Sequence, residues 1–177
     1  ADDLATQVRT LEGVYLQHVD DGEFRLLRIA SRDRSGLFAH IAGVLTLHGQ
    51  DVVGASAATG ADGTAVDEFR IMGATGVTPN WSKIEHDLRA ALSGDLDIDG
   101  RLEQRLRHQG RGRGRAMAAA APRLEILISN EASDSTTMID VRAPDAPAVL
   151  YRLSHALTEL GFDIRSAKVA TLGHEVV

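Results

Sequence analysis

The residues of this chain best suited to chemistry sit in a short polar turn ahead of an apolar helical stretch. Asp33-Arg34-Ser35-Gly36 precedes an apolar face at Leu37, Phe38, Ile41, Val44 and Leu45. The first amides of such a helix have no internal partner and lie at the positive end of its dipole. Those near Ser35, Gly36 and Leu37 are therefore placed to receive an anion such as a carboxylate. Past the helix, Asp51 follows the stop at Gly49 and offers a carboxylate for a cation. Together the two features suit a zwitterion. The same residues also suit a purely local role, with Asp33 capping the helix and Asp51 satisfying backbone after the glycine.

Catalytic patterns are absent from the rest of the sequence. The histidines (18, 40, 48, 86, 108, 155 and 174) form no H-E-x-x-H, and His40 and His48 fit surface or edge positions of the first helix better than metal ligation. There is no G-x-S-x-G and no P-loop, and Gly110-Arg111-Gly112-Arg113-Gly114 does not link a strand to a helix as a dinucleotide fingerprint does. Asn80-Trp81-Ser82 matches a glycosylation sequon, which an intracellular chain would not use. No cysteine occurs in the 177 residues, which removes disulfides and thiolate chemistry and points to an intracellular, cytoplasmic setting. The net charge of −6 argues against a general hold on nucleic acid. Apolar runs such as Leu124 to Ile128 are far too short to cross a bilayer. The chain opens on Ala1 and closes on Glu175-Val176-Val177, which reads like the beginning of a strand, so a piece of a longer protein is expected.

Positioning the turn requires the following elements. Leu4, Val8 and Leu11 suit a short helix ending at Gly13, and Val14 to Val19 and Phe24 to Ala30 suit two strands around Asp20-Asp21-Gly22-Glu23. A helix from Leu37 to Gly49 leads to a hairpin over residues 51 to 72, turning at Gly60-Ala61-Asp62-Gly63. Trp81, Ile84, Leu88 and Leu92 have helical spacing. Residues 100 to 121 accumulate Arg101, Arg105, Arg107, Arg111, Arg113 and Arg115 among glycines and alanines. A solvated helix end running into a flexible connector is favoured there over a nucleic-acid-binding segment because no aromatic residue is interleaved. Leu124 to Ser129 is expected to be the strand that closes the first module.

The chain repeats itself at an offset of 112 residues. Ile29 to Thr59 aligns without a gap on Val141 to Thr171, with identity at Asp33/Asp145, Leu45/Leu157, Thr46/Thr158, Gly49/Gly161, Asp51/Asp163, Ala55/Ala167, Ala58/Ala170 and Thr59/Thr171. That spacing is too long for a solenoid and predicts two copies of one fold. The expected class is α+β: two ferredoxin-like βαββαβ modules, the second incomplete, with boundaries at 1–23 (connector), 24–130 (first module, carrying the arginine-rich insertion 100–121) and 137–177 (second module). Each copy has a thin core for its size, so the copies are expected to contact each other or a second chain.

Two stretches carry a family resemblance. Asp33-Arg34-Ser35-Gly36-Leu37-Phe38 is similar to the D-x-P-G-L-L turn of ACT domains, and Gly49-Gln50-Asp51-Val52 to their G-x-[DN]-[IV] string; Asp145 to Leu150 and Gly161 to Ile164 repeat both. The tandem arrangement, with Ala65 to Phe69 and Val169 to Gly173, resembles the carboxy-terminal pair of the bacterial PII uridylyltransferase/uridylyl-removing enzyme family. That resemblance implies a regulatory region with no active site of its own, sensing glutamine for a bifunctional enzyme acting on the nitrogen-signalling protein PII, with Mg needed only by an upstream catalytic domain. It also implies a ligand site between modules, drawn from Ser31, Asp33, Ser35, Gly36, Leu37, Asp51, Val52, Asp145, Ala148, Val149 and Asp163. Ser35 stands where the family has proline. Ala148 stands where it has glycine, and the added methyl argues against an equivalent second site. The alternative is a free-standing tandem ACT regulator that binds an amino acid and acts through a protein partner.

Overall fold

The computed structural model describes residues 13–21, 24–73, 78–110, 124–131, 133, 135–172 and 175–177. The helix expected before Gly13 and most of the arginine-glycine stretch, 111–123, lie outside them. The elements run β1 (Tyr15–Asp21), β2 (Phe24–Arg32), α1 (Leu37–Leu47), β3 (Asp51–Thr59), β4 (Thr64–Met72), α2 (Trp81–Ser93), α3 (Ile98–Gly110), β5 (Glu125–Ser129), β6 (Met138–Pro144), α4 (Val149–Glu159), β7 (Ser166–Leu172) and β8 (Glu175–Val176). The fold is α+β, and its strands form one sheet in the order β1-β2-β4-β3-β7-β8-β6-β5, with every pairing antiparallel.

The two halves of that order mirror each other about the β3–β7 contact. Gly54 pairs with Ala170, Ala55 with Val169, Ser56 with Lys168 and Ala57 with Ala167. At the 112-residue offset, Ser56 and Lys168 are the same position of the repeat. A local two-fold axis therefore passes between them, and what one half presents across the seam the other presents back.

One expectation about pairing is corrected. The strand at 124–129, expected to close the first module, pairs with β6 instead, Leu127 facing Asp140. The place beside β2 is taken by β1, from the stretch assigned to a connector. Loop closure explains the exchange. β1 reaches β2 through a tight hairpin, and β5 lies only a short loop before β6, whereas returning β5 to β2 would close the whole intervening chain. Residues 98–110 form a helix, which gives the expected helix end its extent. Ile98 and Leu102, one turn apart, are buried and anchor α3 in the core.

Helix α1 is apolar on all sides because it is covered on all sides: the sheet lies beneath it, and α2, α3 and α4 pack against it. Ile41, Val44 and Leu45 meet Leu27, Ile29, Phe69 and Ile71 from the sheet and Ile84 and Leu88 from α2. Phe38 and Phe69 pack with ring centroids 5.2 Å apart. The second repeat is covered more thinly, with Tyr151 and Ser154 the buried residues of α4. Along β5, Ile126, Leu127 and Ile128 are all more than half exposed.

Gly43 lies where the helices converge. A Cβ there would fall 2.8 Å from both Ile98 Cγ2 and Tyr151 Cδ2. The missing side chain lets α3 and α4 close on α1, and Tyr151 then donates from its hydroxyl to Asp99 Oδ1 at 2.9 Å. Gly43→Ala should improve helix propensity by about 1 kcal/mol but overpack this junction by roughly 1–3 kcal/mol. Urea unfolding should therefore show net destabilisation, and a stabilised variant would contradict the packing described.

Candidate functional site

The β2–α1 turn, the end of β3, the start of β4 and the stretch leading into β7 enclose a small cleft at the seam. Asp33, Gly36, Leu37, Phe38, Thr59 and Asp67 line it from the first repeat, and Asp163 and Ile164 from the second. The seam is tied there by the Thr59 amide, which donates to Arg165 O at 3.3 Å. The enclosed volume is about 10 Å3, room for one water molecule.

The turn is shaped by backbone rather than by a side-chain cap. Gly36 takes the N-cap position in the left-handed region, φ 78°, without a capping side chain. The Leu37 amide donates to Arg34 O at 3.1 Å, while the amides of Phe38 and Ala39 donate to no atom among the described residues. Asp33 does not cap the helix: its Oδ2 accepts from Thr59 Oγ1 at 2.8 Å, and its own amide donates to Gly63 O at 3.0 Å. The helix start thus retains unused donors beside the cleft.

Asp67 was not singled out from sequence. It is 3% exposed and lies in the row Ala65, Asp67, Phe69, Ile71 that faces the helices. The two-residue period of β4 places it there, and a carboxylate in an otherwise apolar row is the signal that marks it. No hydrogen bond to its carboxylate occurs among the described residues. Burial away from water, reinforced by the charge of Asp33, pushes its pKa up to about 7.

The other expected site residues fall in different places. Ser31 is fully buried and donates to Arg32 O at 3.1 Å, outside the cleft, and Ser35 is exposed on the turn. Asp51 and Val52 begin β3 while Thr59 ends it, a separation of roughly 26 Å along a strand. They therefore do not share a site with Asp33. Asp163, the repeat equivalent of Asp51, does. The local two-fold carries Asp51 and Val52 towards the turn holding Asp145, Ala148 and Val149. Ala148 copies the conformation of Gly36, with φ 63°, the one non-glycine residue with positive φ among those described. Its methyl is buried in the core cluster.

Among the described residues no group of three or more His, Asp or Glu side chains is arranged to hold a metal ion. His40 Nδ1 lies 2.7 Å from Gly36 O, and His48 Nε2 2.8 Å from Asp87 Oδ2, so both are engaged structurally. No helix among the described residues is long and apolar enough to cross a membrane.

Comparison with curated proteins finds 36% identity over 157 residues with the bifunctional uridylyltransferase/uridylyl-removing enzyme of Streptomyces coelicolor, covering 85% of this chain and 18% of that enzyme. The enzymes of that description from Azospirillum brasilense and Rhodospirillum rubrum match at 34% and 31% identity, each over 84% of this chain and 16% of the relative. The chain is homologous to a carboxy-terminal segment of bifunctional uridylyltransferase/uridylyl-removing enzymes. It spans about a sixth of the length of those relatives. No family model matches the chain, and no solved structure matches it. The seam between the repeats, with its buried carboxylate, therefore lies within a uridylyltransferase-related segment.

The raised pKa of Asp67 has a stability consequence. The folded state holds this proton more tightly than the unfolded chain, so its contribution is complete below the ordinary carboxylate value near 4 and is lost as pH rises through about 7. Asp67→Asn should remove that loss and stabilise the protein above pH 7 by an amount on the order of a few kcal/mol. Unfolding midpoints from pH 4 to 8 should converge at the acid end for the two proteins; parallel curves would contradict the assignment.

Proposed function

We propose that the two repeats are ACT-type modules, each a ferredoxin-like sheet in which the preceding strand, β1 or β5, takes the place of the closing one, and that the cleft at their seam binds a free amino acid. The observation that carries this reading is Asp67: a buried carboxylate without a hydrogen-bond donor, facing a cleft at the free amides of α1. Such a pair of features is complementary to a zwitterion. The ligand's carboxylate would accept from the Phe38 and Ala39 amides at the positive end of the helix, and its ammonium would lie against Asp67 with Asp33 nearby. Asp163 and Ile164 from the other repeat would close over it. Homology to uridylyltransferase/uridylyl-removing enzymes supports glutamine as the amino acid and PII as the protein whose modification state is controlled.

The mechanism is a population shift. The cleft as closed admits one water molecule, so an amino acid must bind a form in which the segment around Asp163 has moved away from the Asp33 turn. Ligand binding then favours that form by its difference in affinity for the two. Because the seam is also the β3–β7 pairing, opening it changes how the repeats meet, and that change would be transmitted to catalytic domains elsewhere in the enzyme. The ligand's ammonium prefers ionised Asp67, so binding expels a proton when the pH is below about 7.

Isothermal calorimetry with glutamine should show saturable binding whose affinity increases between about pH 6 and 8. Asp67→Asn should weaken it at least about tenfold at pH 8 while leaving the protein folded. Absence of binding at millimolar glutamine, with the chain shown folded by circular dichroism, would reject the reading. Equal affinity in the variant would reject the role of Asp67.

A further inference from the structure

The helical face carries a second concavity, far from the seam cleft in composition. It has a volume of about 440 Å3 and lies between the end of α1 and the facing sides of α2 and α3, where Leu47, His48, Lys83, Asp87, Arg101 and Arg105 line it. Lys83 and Asp87 are one turn apart on α2, and Arg101 and Arg105 one turn apart on α3. Two helix faces therefore converge on one space, each presenting a cation at its exposed rim.

The charges are not balanced among themselves. Asp87, the carboxylate among these six residues, is committed to His48, with 2.8 Å between Oδ2 and Nε2 and both side chains largely buried. Arg105 is fixed at the floor: its Nη1 donates to Leu47 O at 2.9 Å, and its Nη2 lies 2.7 Å from where a Cβ on Gly49 would be. It thereby occupies the negative end of α1 and keeps further guanidinium donors. The side chains of Lys83 and Arg101 are exposed and form no hydrogen bond or ion pair among the described residues. A chain with a net charge of −6 thus gathers three cations around one concavity, an arrangement that lowers its energy when an anion enters.

The shape narrows the ligand class. No Phe, Tyr or Trp side chain lines the space, and the imidazole of His48 is largely buried and held by Asp87, so the lining offers no open platform for a base. Leu47 is the apolar contribution, so an apolar ligand body has little to pack on. Guanidinium forks match phosphoryl oxygens, and a lysine adds a mobile point charge. We propose that this concavity is a binding site for a small molecule carrying two linked phosphoryl groups, bridged between Lys83 on α2 and Arg101 and Arg105 on α3. The first arginines of the arginine-rich stretch would thus serve a bounded site for a compact anion, not an extended track for nucleic acid.

Titration of the 177-residue chain with pyrophosphate, followed by amide chemical shifts at about 0.15 M salt to screen diffuse attraction, tests the proposal. Saturable shifts are expected at residues 47–49, 83–87 and 101–105. The double variant Lys83→Ala/Arg101→Ala, which removes two exposed side chains, should bind about tenfold or more weakly, with an unchanged unfolding midpoint. Four results would overturn it: no saturable shift by about 10 mM pyrophosphate, equal affinity in the variant, the same shifts with sodium chloride at matched ionic strength, or tighter binding of an oligouridylate through these residues. Glutamine titrated into the double variant should behave as in the parent chain, which separates this site from the seam.

Discussion

Pairing of β3 with β7 is the contact on which the rest of the molecule turns. It joins two short sheets into one of eight strands and sets a local two-fold axis between Ser56 and Lys168. It also brings the beginning of the second repeat's β7 region to the Asp33 turn of the first. An antiparallel pairing offset by one residue would flip alternate side chains to the opposite face and separate Asp163 from Thr59. Register, more than any single side chain, therefore determines whether a cleft exists there.

Helix α1 links that seam to the remainder of the fold. Its first turn lines the cleft, its middle accepts Tyr151 and Ile98 over Gly43, and its last carbonyls hold Arg105. Because α2, α3 and α4 all pack on it, displacement of its first turn is felt by every helix described. Interiors packed to crystal-like density transmit such displacements instead of absorbing them.

Much of this could be read from residue order. The 112-residue offset placed Asp33 beside Asp145 and Thr59 beside Thr171 in the alignment, and apolar spacing located α1, α2 and the β3–β4 hairpin. Pairing choices were not legible, since β1 and β5 are equally plausible neighbours of β2 by composition and differ only in loop closure. Asp33 looked like a cap because caps are local, while its actual partner, Thr59, is distant in sequence and near only after folding. The arginines suggested only a solvated helix end where α3 stands, although Ile98 and Leu102 carry a helical interval and are buried in the core. Asp67 was readable from strand alternation, but only once β4 had been assigned an inward face.

The outer margins of the sheet differ in a way that matters for handling the protein. One margin, β1, carries His18, Asp20 and Asp21, whose polarity and charge discourage strand addition. The other, β5, shows Ile126, Leu127 and Ile128 to solvent, and among the described residues no strand pairs with its outer edge. With a single adhesive margin, any association by strand addition joins two copies back to back and then has nowhere to continue. Concentrated solutions of this chain are accordingly exposed to pairing rather than to fibre growth.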